Sequence, residues 1–168
     1  MKHINRIAIL AIIASIVLVS CKPNSFEDLG VKRNFLESVN GTWKLTKATQ
    51  VDEDAAKKGF PYQMVDITNL FPYNTFSLTL NVSAGAPTTF SSVAGTSPKI
   101  IKVNTGNWAV DNVNYPKNIY LSNGAATDTI TLGGYPVGAA TTLKIKKEKK
   151  DAVTGKLLIS YSYEFAKQ

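Results

Sequence analysis

The chain is short of reactive side chains. Among its 168 residues there is one histidine, His3, and one cysteine, Cys21. Both lie at the front, and residues 1–20 read as a removable export signal. Without them the mature chain has no histidine, and its only cysteine is its first residue. That excludes a Ser–His–Asp triad, a Cys–His pair and any zinc site built from His or Cys. A disulfide is excluded as well, since Cys21 has no second cysteine to pair with. Loss of Lys2 and Arg6 with the leader lowers the formal charge from +7 to +5. What remains is the size of one domain, and such a chain buries roughly two thirds of its unfolded surface.

The leader is informative. Lys2, His3 and Arg6 precede an apolar run from Ile7 to Val19, broken only by Ser15. Its length suits a signal h-region and falls short of the roughly 20 residues that a membrane span needs. The run ends in Leu18-Val19-Ser20-Cys21. An aliphatic residue three before a cysteine, followed by small residues, resembles the bacterial lipobox. That resemblance implies cleavage before Cys21 and lipidation of its sulfur and new amino group. Each buried acyl CH₂ contributes about 0.8 kcal/mol, so several chains hold a domain on a membrane nearly permanently. Lys22, rather than Asp, follows the cysteine. The usual inner-membrane retention signal is therefore missing, and the expected address is the outer membrane, with either face open. An exported chain meets no nucleic acid, whatever its charge.

Residues 21–34 mix Pro, Asn, Ser and charge and read as the lipidated cysteine and a tether. The domain is expected over 35–168, and it reads as β. Phe76 to Ser83 alternates apolar and polar without a break, the period of a half-buried strand. Leu157, Ile159, Tyr161, Tyr163 and Phe165 share one face of a last strand. Shorter strands are expected at 42–51, 88–93, 99–103, 106–111, 118–121, 127–132 and 141–149, with turn formers such as Ser122-Asn123-Gly124 between them. The stretch 52–71 breaks the pattern, with helix expected at 53–58 and a helical turn at 66–71. Eight or nine short strands at this spacing suggest an antiparallel barrel or sandwich.

Gly41-Thr42-Trp43-Lys44-Leu45 follows a short helical lead-in, Phe35-Leu36-Glu37-Ser38-Val39. This resembles the Gly-x-Trp that opens lipocalin-type barrels, where the tryptophan plugs the closed end. Gly106-Asn107-Trp108 echoes it 65 residues on, though two short matches do not establish a repeat. The larger pattern of lipobox, tether, Gly-x-Trp and β-rich body looks like the lipocalin-like lipoproteins of unknown function from Bacteroides-type bacteria. The resemblance implies an all-β, lipocalin-like antiparallel barrel of about eight strands, with a short N-terminal helical turn and a partly helical insert after the first strand. The insert at 52–71, and the lack of an arginine near the last strand, depart from true lipocalins.

The function implied is a non-enzymatic outer-membrane lipoprotein acting as a binding or structural accessory, with no cofactor and no metal. An eight-stranded barrel can be filled by its own side chains or can hold one small ligand. A small apolar ligand would sit inside, near Phe76, Trp108, Tyr120 and Tyr161. A glycan-binding or assembly role in a surface complex would instead use loop aromatics and the basic face Lys144–Lys150. On that strand Lys144 and Lys146 face one way with Glu148, and Leu143, Ile145 and Lys147 the other. Lysines on an exposed hairpin equally discourage edge-to-edge pairing. The acidic triplet Asp52-Glu53-Asp54 lacks the spacing of a calcium loop and suits a helix N-terminus.

Overall fold

A computed structural model describes residues 34–134 and 142–168. The expected leader and tether, and the lipidation site Cys21, lie outside the described residues. A five-residue helix, α1 (Phe35–Val39), leads into a 12-residue strand, β1 (Gly41–Asp52). Helix α2 (Glu53–Lys58) and strand β2 (Met64–Asp66) follow, then a single 3₁₀ turn, Tyr73–Thr75. The rest is strand: β3 (Ser77–Ser83), β4 (Ala86–Val93), β5 (Thr105–Val110), β6 (Asn118–Ser122), β7 (Thr127–Gly134), β8 (Thr142–Lys150) and β9 (Leu157–Lys167).

Every pairing is antiparallel, and the sheet runs β2-β1-β3-β4-β5-β6-β7-β8-β9. Strand β9 also pairs with β1, so eight strands close into a barrel and β2 is an addition on its side. This is the lipocalin-like all-β architecture expected from the sequence, including the helical lead-in and the helical insert. Closure depends on β1 serving two neighbours on one side. Residues 41–44 pair with β3, while 49–51 pair with β2. The split follows a bulge against β9 between Leu45 and Lys47. The extra residue moves the inward face from Trp43 and Leu45 to Ala48, all buried.

Two segments close the barrel. Helix α1 sits at the end where β1 begins. Asn34 caps it by accepting the Leu36 N–H at 3.0 Å, and Phe35, Leu36 and Val39 turn into the core. At the opposite end the connection 94–104 folds inward, carrying Ile100, Ile101 and Val103 into the same core. The apolar run at 99–103, expected as a strand, is therefore a covering segment. It follows Pro98, and the Lys102 N–H bonds the Asp128 side chain at 2.9 Å instead of a ladder neighbour. The turn expected at 66–71 contains the end of β2, where the Ile67 N–H bonds the Ala48 carbonyl, followed by non-helical turns.

The acidic triplet builds the start of α2. Asp52 is the N-cap, accepting the Asp54 and Ala55 N–H groups. Glu53 accepts the Ser160 hydroxyl at 2.6 Å and fastens the helix to β9. Asp54 Oδ1 accepts Lys156 Nζ at 2.6 Å, and Oδ2 lies 2.6 Å from Lys58 Nζ. These amines, Lys156 foremost, lower the Asp54 carboxyl from 3.8 to about 2. A carboxyl whose folded-state pKa is depressed stabilises the fold above its unfolded value. Its contribution is lost as pH falls from 3.8 towards about 2. Asp54→Asn is expected to flatten that part of the curve of urea midpoint against pH. A variant curve parallel to the wild type would remove Asp54 as the cause.

Candidate functional site

The barrel interior is occupied by the chain itself. Trp43, Phe76 and Phe165 are its largest fully buried side chains, joined by Leu45, Leu78 and Leu80. The Trp43 indole N–H donates to the Val39 carbonyl at 2.7 Å, which ties the plug to α1. Lys167, on the last strand, places its amine 5.5 Å from the Trp43 ring centroid. A lysine thus takes the position over the plug for which no arginine is present.

Of the residues expected around an interior ligand, Phe76 and Trp108 are in the core. Phe76 meets Phe165 edge-to-face with centroids 6.0 Å apart. Trp108 donates its indole N–H to the Asn81 carbonyl at 2.8 Å. Tyr161 is half-buried against the core, its ring stacked on Tyr163 at 6.2 Å. Tyr163 in turn lies 6.0 Å from Tyr73, and burial pushes both of these phenols above the ordinary tyrosine value, so they stay neutral. Tyr120 parts from the other three. It sits between the buried Ile119 and Leu121 on β6, and its side chain is exposed on the outer face.

The echo of Gly-x-Trp is structural. Gly41 and Gly106 have φ of 122° and 153°. Both tryptophans are buried and both donate to a backbone carbonyl two strands or one helix away. Gly41, Leu80, Phe90 and Gly106 lie in register across β1, β3, β4 and β5, so the two glycines occupy one row of the wall.

Two outer surfaces remain. The first is the insert after α2. Phe60, Tyr62, Met64, Val65, Leu70 and Phe71 are all exposed, Tyr62 at 91%. Strand β2, in their midst, is the last in the sheet order, so one of its edges has no neighbour among the described residues. A hollow of about 520 Å³ lies beside it, lined by Thr46, Leu70, Phe71 and Pro72 among others.

The second is a polar hollow of about 440 Å³ between β7 and β8, lined by threonines of β7 and by lysines of β8. Lys147 Nζ meets Asp128 Oδ1 at 2.7 Å there. Sequence reading did not pair these two. The signal was present: Asp128 shares the inward period of Ile130 and Leu132, and Lys147 that of Leu143 and Ile145. Opposite charges on two inward faces need a common solution. Of the other strand lysines, Lys144 meets Glu164 at 3.1 Å on the surface, and Lys150, in the lining of the hollow, lies 3.6 Å from Glu148. Among the described residues no three His, Cys, Asp or Glu side chains group to hold a metal ion. Nor is any described helix long and apolar enough to cross a membrane.

Fold and surfaces together define a closed antiparallel barrel with an apolar core and two exposed surfaces of contrasting chemistry. The chain belongs to the family described as a domain of unknown function (DUF5004), which matches residues 23–166. No curated protein and no solved structure matches it.

Proposed function

We propose that the chain is a non-enzymatic envelope lipoprotein, held on the outer membrane through Cys21, whose barrel is a rigid support for binding at its outer surface. The observation that carries this reading is where large apolar side chains lie. Inside, they pack against one another between α1 and the segment 94–104. Outside, one segment of 12 residues, 60–71, presents six of them to solvent. Apolar residues scattered singly on a surface are ordinary, whereas six within 12 residues are a concentration of the kind that marks interaction sites. The free edge of β2 adds backbone donors and acceptors to the same surface. This favours an accessory that docks onto another envelope protein over a carrier with its cargo inside. Three exposed aromatics on one segment, Phe60, Tyr62 and Phe71, keep glycan stacking as a second reading of the same face.

Hydroxyl-radical footprinting on intact envelopes tests both parts at once. Residues 60–71 are expected to be labelled strongly in the purified chain and weakly in envelopes. Cys21→Ala is expected to release the chain from the membrane fraction and restore the labelling. Equal labelling of wild type in both settings removes the docking surface; retention of Cys21→Ala on the membrane removes the lipid anchor.

A further inference from the structure

Strands β7 and β8 separate partway along. Their ladder runs from Gly134↔Lys144 to Thr131↔Lys146 and stops there. Both strands continue beyond it. Strand β7 still pairs with β6 as far as Ser122↔Thr127, and β8 with β9 as far as Lys150↔Leu157. The facing edges of 127–130 and 147–150 are therefore without a ladder partner among the described residues, and the hollow of about 440 Å³ is the slot between them.

Polar groups maintain the slot. Lys147 Nζ reaches into it to Asp128 Oδ1 at 2.7 Å and the Thr129 carbonyl at 3.0 Å. Asp128 Oδ2 accepts the Lys102 N–H at 2.9 Å, which fixes the covering segment as the slot's rim. The Asp128 side chain is only 6% exposed. A buried ion pair is a weak source of stability, and apolar residues along a continuous ladder would hold a wall at least as well. The sequence instead places charge where the wall opens.

The charge balance indicates the ligand. Four lysines line the slot: Lys102, Lys146, Lys147 and Lys150. Two carboxylates of the lining answer them, Asp128 and Glu148. Two positive charges are left over. Threonine hydroxyls and the open strand edges add neutral donors and acceptors, and the volume falls within the range of small-ligand sites. An apolar chain finds little to bury there, and a cation would meet surplus positive charge. A ring carrying one carboxylate and several hydroxyls fits both counts.

We propose that the slot between β7 and β8 binds an acidic saccharide, with Lys102 and Lys150 at its carboxylate and Thr127 and Thr129 at its hydroxyls. This goes beyond the docking reading and does not depend on it, since the slot and the segment 60–71 share no residue. The test is titration of the full chain in detergent with glucuronic and galacturonic acids, as mono- to trisaccharides, followed by calorimetry and amide NMR. Neutral counterparts and inorganic phosphate serve as controls. Saturable uronate binding is expected, with the Thr127 and Thr129 amides shifting. The double variant Lys102→Ala/Lys150→Ala should weaken it at least tenfold, and Lys156→Ala, outside the slot, should leave it unchanged. No saturable binding by any uronate overturns the proposal. So does equal binding of neutral sugars or phosphate, or a double variant that binds like the wild type.

Discussion

Trp43→Ala is expected to cost the fold about 3–5 kcal/mol, the range for removing a large aromatic side chain from a packed core. The side chain is fully buried, and its indole N–H makes a buried bond that helps hold α1 across the barrel end. Truncation therefore leaves a void under α1 and an unpaired Val39 carbonyl. Urea denaturation followed by far-ultraviolet circular dichroism reads the loss as a lower midpoint with little change in slope. Lys167→Ala provides the contrast. It removes the amine over the ring, an exposed contact of the kind worth about 0.5–1 kcal/mol, and that amine's exposed hydrogen bond to the Ser38 carbonyl at 3.3 Å. A Trp43→Ala midpoint within the shift of Lys167→Ala would mean that the indole is not the plug.

Gly106→Ala is expected to be as damaging, for a different reason. A Cβ at this position would lie 2.0 Å from the Ser122 carbonyl oxygen, and the backbone has a φ of 153°. The obstacle is backbone rather than a movable side chain, so β5 and β6 must separate where Asn107 pairs with Ser122. Conformational strain alone costs about 1–3 kcal/mol, and loss of the local ladder adds to it, so at least about 3 kcal/mol is expected. Gly124→Ala is the control that separates strain from contact. Gly124 also has a positive φ, but nothing lies within 4 Å of its added Cβ. Gly106→Ala should lower the midpoint well below Gly124→Ala, with hydrogen exchange accelerated in β5 and β6. Equal effects of the two would leave the close approach to Ser122 without energetic weight.

Much of the barrel was legible because half-buried strands write their own period. Phe76 to Ser83 alternates, and in the structure Phe76, Leu78 and Leu80 point in while Asn81 points out. The helix at 53–58 was legible because acids and lysines stand at its two ends. Where the sequence misled, the cause was long-range. Residues 99–103 have the composition of a strand, but Ile100, Ile101 and Val103 are buried by covering a barrel end, a use of apolar residues that carries no period. Strand β2 was missed because its three residues are all exposed and show no alternation. The slot was illegible for the same kind of reason. The register shift between Leu132 and Gly134 precedes the halt of the ladder after Lys146, and two strands parting is a property of their pairing, not of either sequence. Of the residues expected around an interior ligand, Phe76 and Trp108 lie in the core and Tyr161 is half-buried against it, as their inward period implied, whereas Tyr120 lies on the other side of the wall, one residue from the buried Ile119.

The most direct trial of a self-filled barrel that binds from outside is a crystal of the chain pressurised with xenon, which settles into apolar space too small for other probes to report. Xenon is expected only on the outer surface, beside Leu70 and Phe71. A well-occupied xenon site enclosed by Trp43, Phe76 and Phe165 would show that the interior has room for cargo, and would contradict the account.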